Sequence, residues 1–213
     1  MRILITAGPT YERIDPVRFI GNYSTGKMGF ALAQVCIERG FEVVLITGPV
    51  NLKIDHPNIQ RINVESAAEM YEKVMQNFRN CNVAIFCAAV ADFTPEVVYS
   101  EKIKRKDNSL IIKLKPTQDI AAAAGKIKQE NQLLIGFALE TNDEENNAVN
   151  KMKKKNFDMI VLNSLNDDGA GFGYDTNKVS IIKKDGEKIC LPLLSKKDVA
   201  EKIISLTESA AKK

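Results

Sequence analysis

Short β-rich runs alternate with helix-period segments along this chain, which predicts an α/β fold: a doubly wound, mostly parallel sheet with helices on both faces. Three observations carry that expectation. RILITA (2–7), EVVLIT (42–47) and NVAIFCAA (82–89) are apolar and strand-like, and the last has the continuous apolarity of a strand covered on both faces. FALAQVCIERG, between the first two, has a helical period. The first two strand-like runs and the helical one close on turn signals: Gly8-Pro9-Thr10, Gly48-Pro49 and Gly40.

The elements follow in order. The first strand leads through a polar loop into the glycine-rich stretch Gly21 to Gly29, and the helix after it stops at Gly40. After the second strand, a short strand from Ile59 to Val64 precedes Ser66-Ala67-Ala68-Glu69, a capping box that opens a helix to about Phe78. QLLIGFAL (132–139) and DMIVLN (158–163) read as two more central strands, with a Lys-rich helix between them. Residues 97–115, VVYSEKIKRKDNSLIIKLK, break the rhythm: Asp107-Asn108 lies between two strand-like pieces, which predicts a projecting β-ribbon or flap. VSIIKK, Asp185-Gly186 and KICLPL spell a hairpin, and Ser195 caps a last amphipathic helix. With no repeat, low-complexity tract or linker, residues 1–213 read as a single domain carrying a ribbon insertion at about 97–115.

Composition removes whole chemistries. Hydrophobic residues at 45% and charged residues at 27% exclude a disordered chain. Thirty basic against 27 acidic residues leave a net charge of +3, too small for a general nucleic-acid coat. The lone His56, before Pro57 in a polar stretch, reads as a solvated loop residue, so a His-based triad or zinc site has nothing to draw on. Cys36, Cys81, Cys87 and Cys190 form no CxxC pair, and Cys36 and Cys87 read as buried reduced thiols. No apolar run approaches the roughly 18 residues of a membrane span, and the N-terminus reads as a strand. The expectation is a cytoplasmic protein that uses neither membrane nor nucleic acid.

Several stretches can carry chemistry. Gly21-Asn22-Tyr23-Ser24-Thr25-Gly26-Lys27-Met28-Gly29 nearly matches a P-loop, but Met28 stands where a metal-binding hydroxyl is required, and the segment does not follow its strand directly. Small residues at a helix start still favour an anion on free backbone N–H groups; the alternative is a turn whose glycines only let the helix pack on the sheet. Asp92, after the apolar strand, falls where open α/β sheets bind ligands, although a helix cap or turn is the plainer role for such a residue. Lys102-Ile103-Lys104-Arg105-Lys106 and Lys151-Met152-Lys153-Lys154-Lys155 are either solvated faces or phosphate neutralisers. Phe137 either stacks on a base or belongs to the core.

ITAGPT, DPVRFIGNYSTGKMG, AAVADF, EKIKRK and GFALET, in this order and spacing, resemble the phosphopantothenate–cysteine ligase family over nearly the whole chain. The resemblance implies an enzyme of coenzyme A biosynthesis. It activates the carboxylate of 4′-phosphopantothenate with CTP and Mg²⁺ and then transfers the acyl group to L-cysteine, releasing pyrophosphate and CMP. It implies that Gly8, Ser24, Gly26 and Gly29 cradle the triphosphate. Asn22 matches the asparagine that contacts the pantothenate acyl end and serves the second half-reaction. Arg18 matches an arginine that reaches the substrate phosphate across a dimer interface. Ala88, Ala89 and Asp92 would lie where the two substrates meet, with Phe137 at the base and Lys151 and Lys155 near the nucleotide. Lys102 would close over the reacting phosphates.

Cytosine recognition would rest on backbone groups of Phe86, Cys87 and Ala88. The family's proline beside the Asp-Ile pair is shifted in Pro116-Thr117-Gln118-Asp119-Ile120, the stretch that supplies Asp119 and Ile120 to the nucleotide. A homodimer, and fusion to or association with a flavin-dependent decarboxylase, are further expectations of the resemblance. Two rival classes are weaker. A dinucleotide-dependent oxidoreductase lacks the G-x-G-x-x-G turn, and an RNA-binding module lacks aromatics interleaved with the lysines.

Overall fold

The computed structural model describes residues 1–105, 109–140, 142–164, 171 and 173–211. Its strands, in chain order, are β1 (Arg2–Ala7), β2 (Tyr11–Arg13), β3 (Phe19–Gly21), β4 (Glu42–Thr47), β5 (Ile59–Asn63), β6 (Val83–Phe86), β7 (Phe93–Pro95), β8 (Leu114–Pro116), β9 (Leu133–Glu140), β10 (Met159–Ser164), β11 (Thr176–Asn177), β12 (Val179–Lys183), β13 (Lys188–Cys190) and β14 (Leu194–Ser195). The helices are α1 (Lys27–Glu38), α2 (Ala67–Phe78), α3 (Ile120–Ile127), α4 (Glu144–Lys154) and α5 (Lys196–Ala211).

Among the described residues, eight strands form the main sheet in the order β13-β12-β10-β9-β6-β1-β4-β5. Its six strands from β10 to β5 are parallel, and β12 and β13 add an antiparallel edge. The chain therefore winds outward from β1 in one direction, returns at β6 and winds the other way. That reversal leaves a crevice beyond the carboxyl ends of β1 and β6.

Alternation within the strands splits the core into two layers. Ile3, Ile5, Val43, Leu45, Val83 and Ile85 pack against α1 and α5. Leu4, Val44, Ile46, Ala84 and Phe86 pack against α2, α3 and α4. Both faces of the central strands are thus covered, which is why these runs are apolar at every position. Ser66 caps α2 by accepting from the Glu69 N–H at 3.2 Å, while the Glu69 carboxylate accepts from Glu65 N at 2.8 Å, one residue before the cap. Ser195 caps α5 through Asp198 N at 3.1 Å.

Three elements depart from the sequence reading. The polar loop after β1 contains a small hairpin, β2 with β3, stabilised by the stacked rings of Tyr11 and Phe19, 3.9 Å apart. The alanine-rich stretch after Asp119 is α3, hidden from pattern reading because alanine carries little apolar periodicity. In the expected ribbon, pairing occurs only at its base, β7 with β8, and residues 97–105 and 109–113 form no strand. Its expected turn, Asp107-Asn108, and Lys106 of the basic run lie outside the described residues, as does Thr141 of GFALET.

Gly136, in the middle of β9, is required by close packing rather than by backbone freedom. A Cβ there would sit 2.1 Å from Cε2 of the buried Phe157 ring. Gly136→Ala is expected to destabilise the protein by about 1–3 kcal/mol in chemical denaturation, with the denaturant slope unchanged; an unaffected midpoint would contradict this packing account.

Candidate active site at the sheet switch point

The crevice is built by tying the chain ends beyond β1 and β6 and the glycine-rich loop together at one residue. Ala89, just beyond β6, donates its N–H to Gly8 O at 2.9 Å. Its own carbonyl accepts from Thr10 N at 3.3 Å and from Asn22 Nδ2 at 2.9 Å. Thr6 and Thr10 reinforce the junction by accepting from Ala88 N (3.3 Å) and Ala91 N (2.9 Å). Thr117 Oγ1 donates to Ala91 O at 2.6 Å and brings in the segment ahead of α3.

The glycine-rich loop packs directly on this junction. Gly26, at φ +78°, caps α1 without any side-chain acceptor, so the first N–H groups of the helix have no side-chain cap. A Cβ on Gly29 would lie 2.5 Å from Ala7 Cβ, so this glycine lets α1 touch the end of β1. Gly29 therefore serves packing, while Gly8 and Gly26 turn the backbone in the left-handed region.

Two cavities open here, of about 310 and 340 Å³. The first is lined by Phe86, Asp119, Ile120 and Lys155, among others. The second is lined by Asn22, Ser24, Gly26, Gly29, Cys87 and Ala89, among others. They share a boundary of Ala88, Val90, Asp92, Phe137 and Lys151. Fourteen of the residues that sequence reading singled out thus line the two cavities, and Gly8 lies directly beneath Gly26.

Charge is distributed unevenly between the lysines. Lys155 donates to Asp119 Oδ1 at 2.9 Å, and the same carboxylate caps α3 through Ala122 N at 3.0 Å. Burial raises the Asp119 carboxyl, but the Ala122 N–H and Lys155 outweigh it and hold the group below its usual range. Lys151 makes no hydrogen bond or ion pair among the described residues, and burial, together with the charge of Lys155, lowers its pKa. It is the lysine at the shared boundary still able to accept an anion. The Cys87 thiol is pushed up to about 12 by burial, so Cys87 stays protonated and is no nucleophile.

Two expected residues lie elsewhere. Arg18 and Lys102 line neither cavity. Lys102 is exposed on the excursion between β7 and β8. Arg18 pairs with the buried Asp15 and donates to Ile103 O at 2.9 Å, which fastens that excursion to the loop between β2 and β3. Asp15 also accepts from Val17 N, Arg18 N and Ile103 N at 2.9, 3.0 and 3.1 Å. Sequence reasoning passed over Asp15, although it directly precedes Pro16 in DPVR. It also missed Asn163, Asn177 and Lys196, which line the second cavity from the far half of the chain. Asn163 follows an apolar strand at its carboxyl end, the same signal that pointed to Asp92; Lys196 leaves no signal in the sequence.

Residues 1–210 match the family model described as DNA/pantothenate metabolism flavoprotein C-terminal domain. The chain belongs to this family. It is 48% identical over 202 residues to the coenzyme A biosynthesis bifunctional protein CoaBC of Bacillus subtilis, covering 95% of this chain and 50% of that protein. It is 55% identical over 203 residues to a protein of an unknown prokaryotic organism named cysteine/cysteine sulfinic acid decarboxylase, covering 95% of this chain and 56% of the other. The chain thus spans about half the length of the curated relatives it matches. The crystal structure of the C-terminal domain of CoaBC superposes with a TM-score of 0.83 at 46% identity, covering 99% of this chain and 97% of that one. The Cab2 mutant H337A in complex with phosphopantothenate–cysteine shares the fold at a TM-score of 0.73 and 17% identity, covering 98% of this chain and 86% of that one. The family membership agrees with the resemblance carried by the glycine-rich and AAVADF segments. No helix among the described residues is long and apolar enough to cross a membrane.

Two outcomes follow from this geometry. The Asp15 carboxyl is held well below the carboxylate range, first by the hydrogen bond from Arg18, against burial, with the Val17, Ile103 and Arg18 N–H groups adding to the effect. A depressed folded pKa stabilises above the unfolded value of about 4 and is lost as pH falls towards the folded value. Asp15→Asn should therefore lower stability at pH 7, and its deficit against the unmodified protein should shrink as pH drops below about 4. A pH-independent deficit in chemical denaturation would contradict this. Alkylation followed by peptide mapping should label the exposed Cys190 well before Cys87.

Proposed function

We propose that this chain carries the phosphopantothenate–cysteine ligase reaction. 4′-Phosphopantothenate and L-cysteine are joined through an acyl-CMP intermediate, with CTP as co-substrate and pyrophosphate and CMP as products, in coenzyme A biosynthesis in the cytoplasm. The observation that carries this reading is the pair of adjoining cavities meeting at Asp92, Phe137 and Lys151, with Lys151 unspent. A reaction between a nucleoside triphosphate and a second acid needs two sites with one boundary that tolerates anions.

In the first half-reaction a carboxylate oxygen attacks the α-phosphorus, the bond from that phosphorus to the oxygen bridging to the β-phosphorus breaks, and pyrophosphate leaves. In the second, the cysteine amine attacks the acyl carbon, the bond to the CMP oxygen breaks, and the amine proton passes to solvent. Both steps gather negative charge, which Lys151 and Lys155 would offset while the backbone of Gly8, Gly26 and Ser24 holds the phosphates. Positioning by a preformed crevice supplies a large part of the rate, since orientation alone is worth roughly 7–11 kcal/mol.

Mg²⁺ would screen the phosphates. Among the described residues no three His, Cys, Asp or Glu gather around a point, so the protein offers single carboxylates. That fits Mg²⁺, which is commonly held by one or two carboxylates plus substrate phosphates, and Asp92 is the carboxylate placed for it. Asn22, fixed on the Ala89 carbonyl, orients the acyl end, and Lys102 approaches from the excursion when substrates are bound. Fusion to or association with a decarboxylase unit is supported by the bifunctional relatives.

A homodimer is supported by exposed apolar residues around the junction of the hairpin and the excursion: Val17, Phe19, Val97 and Val98 are each at least half exposed. Arg18, which serves neither cavity of its own chain, would reach the substrate phosphate in the partner copy.

With CTP, Mg²⁺ and both substrates, the protein should form phosphopantothenoylcysteine and CMP in equal amounts; no amide product with CTP or ATP would sink the reading. Asn22→Ala should still release pyrophosphate while product formation falls by about 10²-fold or more. Equal loss in both half-reactions, or loss in neither, would remove that role. Sedimentation should show a dimer at micromolar concentration, and a monomer would end the cross-subunit role of Arg18.

A further inference from the structure

The excursion between β7 and β8 stands with both feet on the crevice. Asp92, on the boundary of the two cavities, leads directly into β7, and Thr117, Gln118 and Asp119, which line the first cavity, follow β8. Between its feet, the described residues tie the excursion to the loop joining β2 and β3 at Tyr99 and Ile103. Tyr99 donates its N–H to Ile14 O at 3.0 Å. Ile103 has both backbone groups engaged: its N–H donates to Asp15 Oδ2 at 3.1 Å, and its carbonyl accepts from Arg18 Nη2 at 2.9 Å. Lys104 and Arg105, just beyond, are exposed and make no hydrogen bond or ion pair among the described residues.

The two oxygens of Asp15 divide their work. Oδ1 is local, accepting from the N–H groups of Val17 and Arg18 and closing the turn of DPVR. Oδ2 is long-range, accepting from Ile103 N together with Arg18 Nε and Nη2. The Ile103 N–H belongs to the peptide bond that joins Lys102 to Ile103. Because that unit is planar, the Cα of Lys102 lies in the plane that Asp15 grips. Asp15 is buried, so no water stands ready to replace its carboxylate in front of these donors. An amide there could keep the local turn through its oxygen, but its NH₂ would then face three donors.

We propose that Asp15 is a positioning residue for Lys102: its Oδ2 fixes the point from which that ammonium reaches the reacting phosphates. The link to turnover rests on the function proposed above; the hold on the Lys102–Ile103 peptide does not. Asp15 itself touches no substrate, and it acts through the backbone of a residue 88 positions away.

The test is a double-mutant cycle on the full chain, read by ligase kinetics and by tryptic cleavage. Asp15→Asn should lower kcat about 10- to 100-fold, while the KM values for CTP and 4′-phosphopantothenate change less than about twofold. Lys102→Ala should cost a similar factor, and the double variant no more than about twofold beyond Lys102→Ala alone. Additive losses, or an unchanged kcat in Asp15→Asn, would overturn the proposal. A raised KM for 4′-phosphopantothenate at unchanged kcat would mean that Asp15 serves Arg18 alone, and would overturn it too. Trypsin should cut the Lys102–Ile103 bond about tenfold faster in Asp15→Asn, with cleavage elsewhere unchanged. In the unmodified chain that bond should be cut about tenfold more slowly than the bonds after Lys104 and Arg105, which keeps the hold testable should Asp15→Asn fail to fold. Equal cleavage in either comparison would overturn it. The expected cleavage pattern without any ligase turnover would uphold the grip of Asp15 on Lys102 while the proposed function fell.

Discussion

The site hangs on the backbone of Ala89. One N–H and one carbonyl tie the end of β6 to Gly8 beyond β1, to Thr10 and to the amide of Asn22. Parallel strands that wind away in opposite directions would otherwise leave a gap there, because neither crossover connection covers it. Closing the gap with main-chain bonds fixes the floor of the crevice and also holds the Asn22 amide in place. It also sets the height of the glycine-rich loop, since α1 can rest on Ala7 only where Gly29 presents no Cβ. Asp92 and Thr117 then follow from the same junction, through Thr117 Oγ1 on Ala91 O and Thr117 N on Asp92 O at 2.9 Å.

On that floor, charge is parcelled out. Lys155 is bound to Asp119, Lys27 to Asp175 and Lys196 to three carbonyls. Only Lys151 at the shared boundary is left with partners at long range alone. A site with every lysine free would repel itself, and one with every lysine paired would offer nothing to a triphosphate. The Lys155–Asp119 pair, which joins the end of α4 to the start of α3, fixes one cation beside the boundary and leaves Lys151 as the unpaired one. The uncharged Cys87 thiol adds no competing anion.

Central strand positions were legible because those strands are covered on both faces, so apolarity marks β1, β4 and β10 within a residue or so, whereas the run from Asn82 to Ala89 outlasts β6 by three residues. Ser66 and Ser195 were legible because caps have a local chemistry. Gly8, Ser24 and Gly26 announce themselves as a loop, and family resemblance supplies the roles proposed for Asn22, Lys151 and Lys155. The helix α3 was not legible, since alanines leave no apolar stripe, and neither was the pairing pattern of residues 97–115, whose β-rich composition stays unpaired in all but the base. Asn163, Asn177 and Lys196 escaped for a different reason. Their meaning depends on what lies across the cavity, and no local pattern encodes a partner more than a hundred residues away.

We propose that activation of the acid and capture of cysteine are separate steps in one two-part crevice. It is tested most directly by exchange of radiolabelled pyrophosphate into CTP, with 4′-phosphopantothenate and Mg²⁺ present and cysteine left out. The account predicts exchange that depends strictly on phosphopantothenate, because the acyl-CMP forms reversibly before any amine arrives. Exchange without phosphopantothenate, or none until cysteine is added, would contradict it.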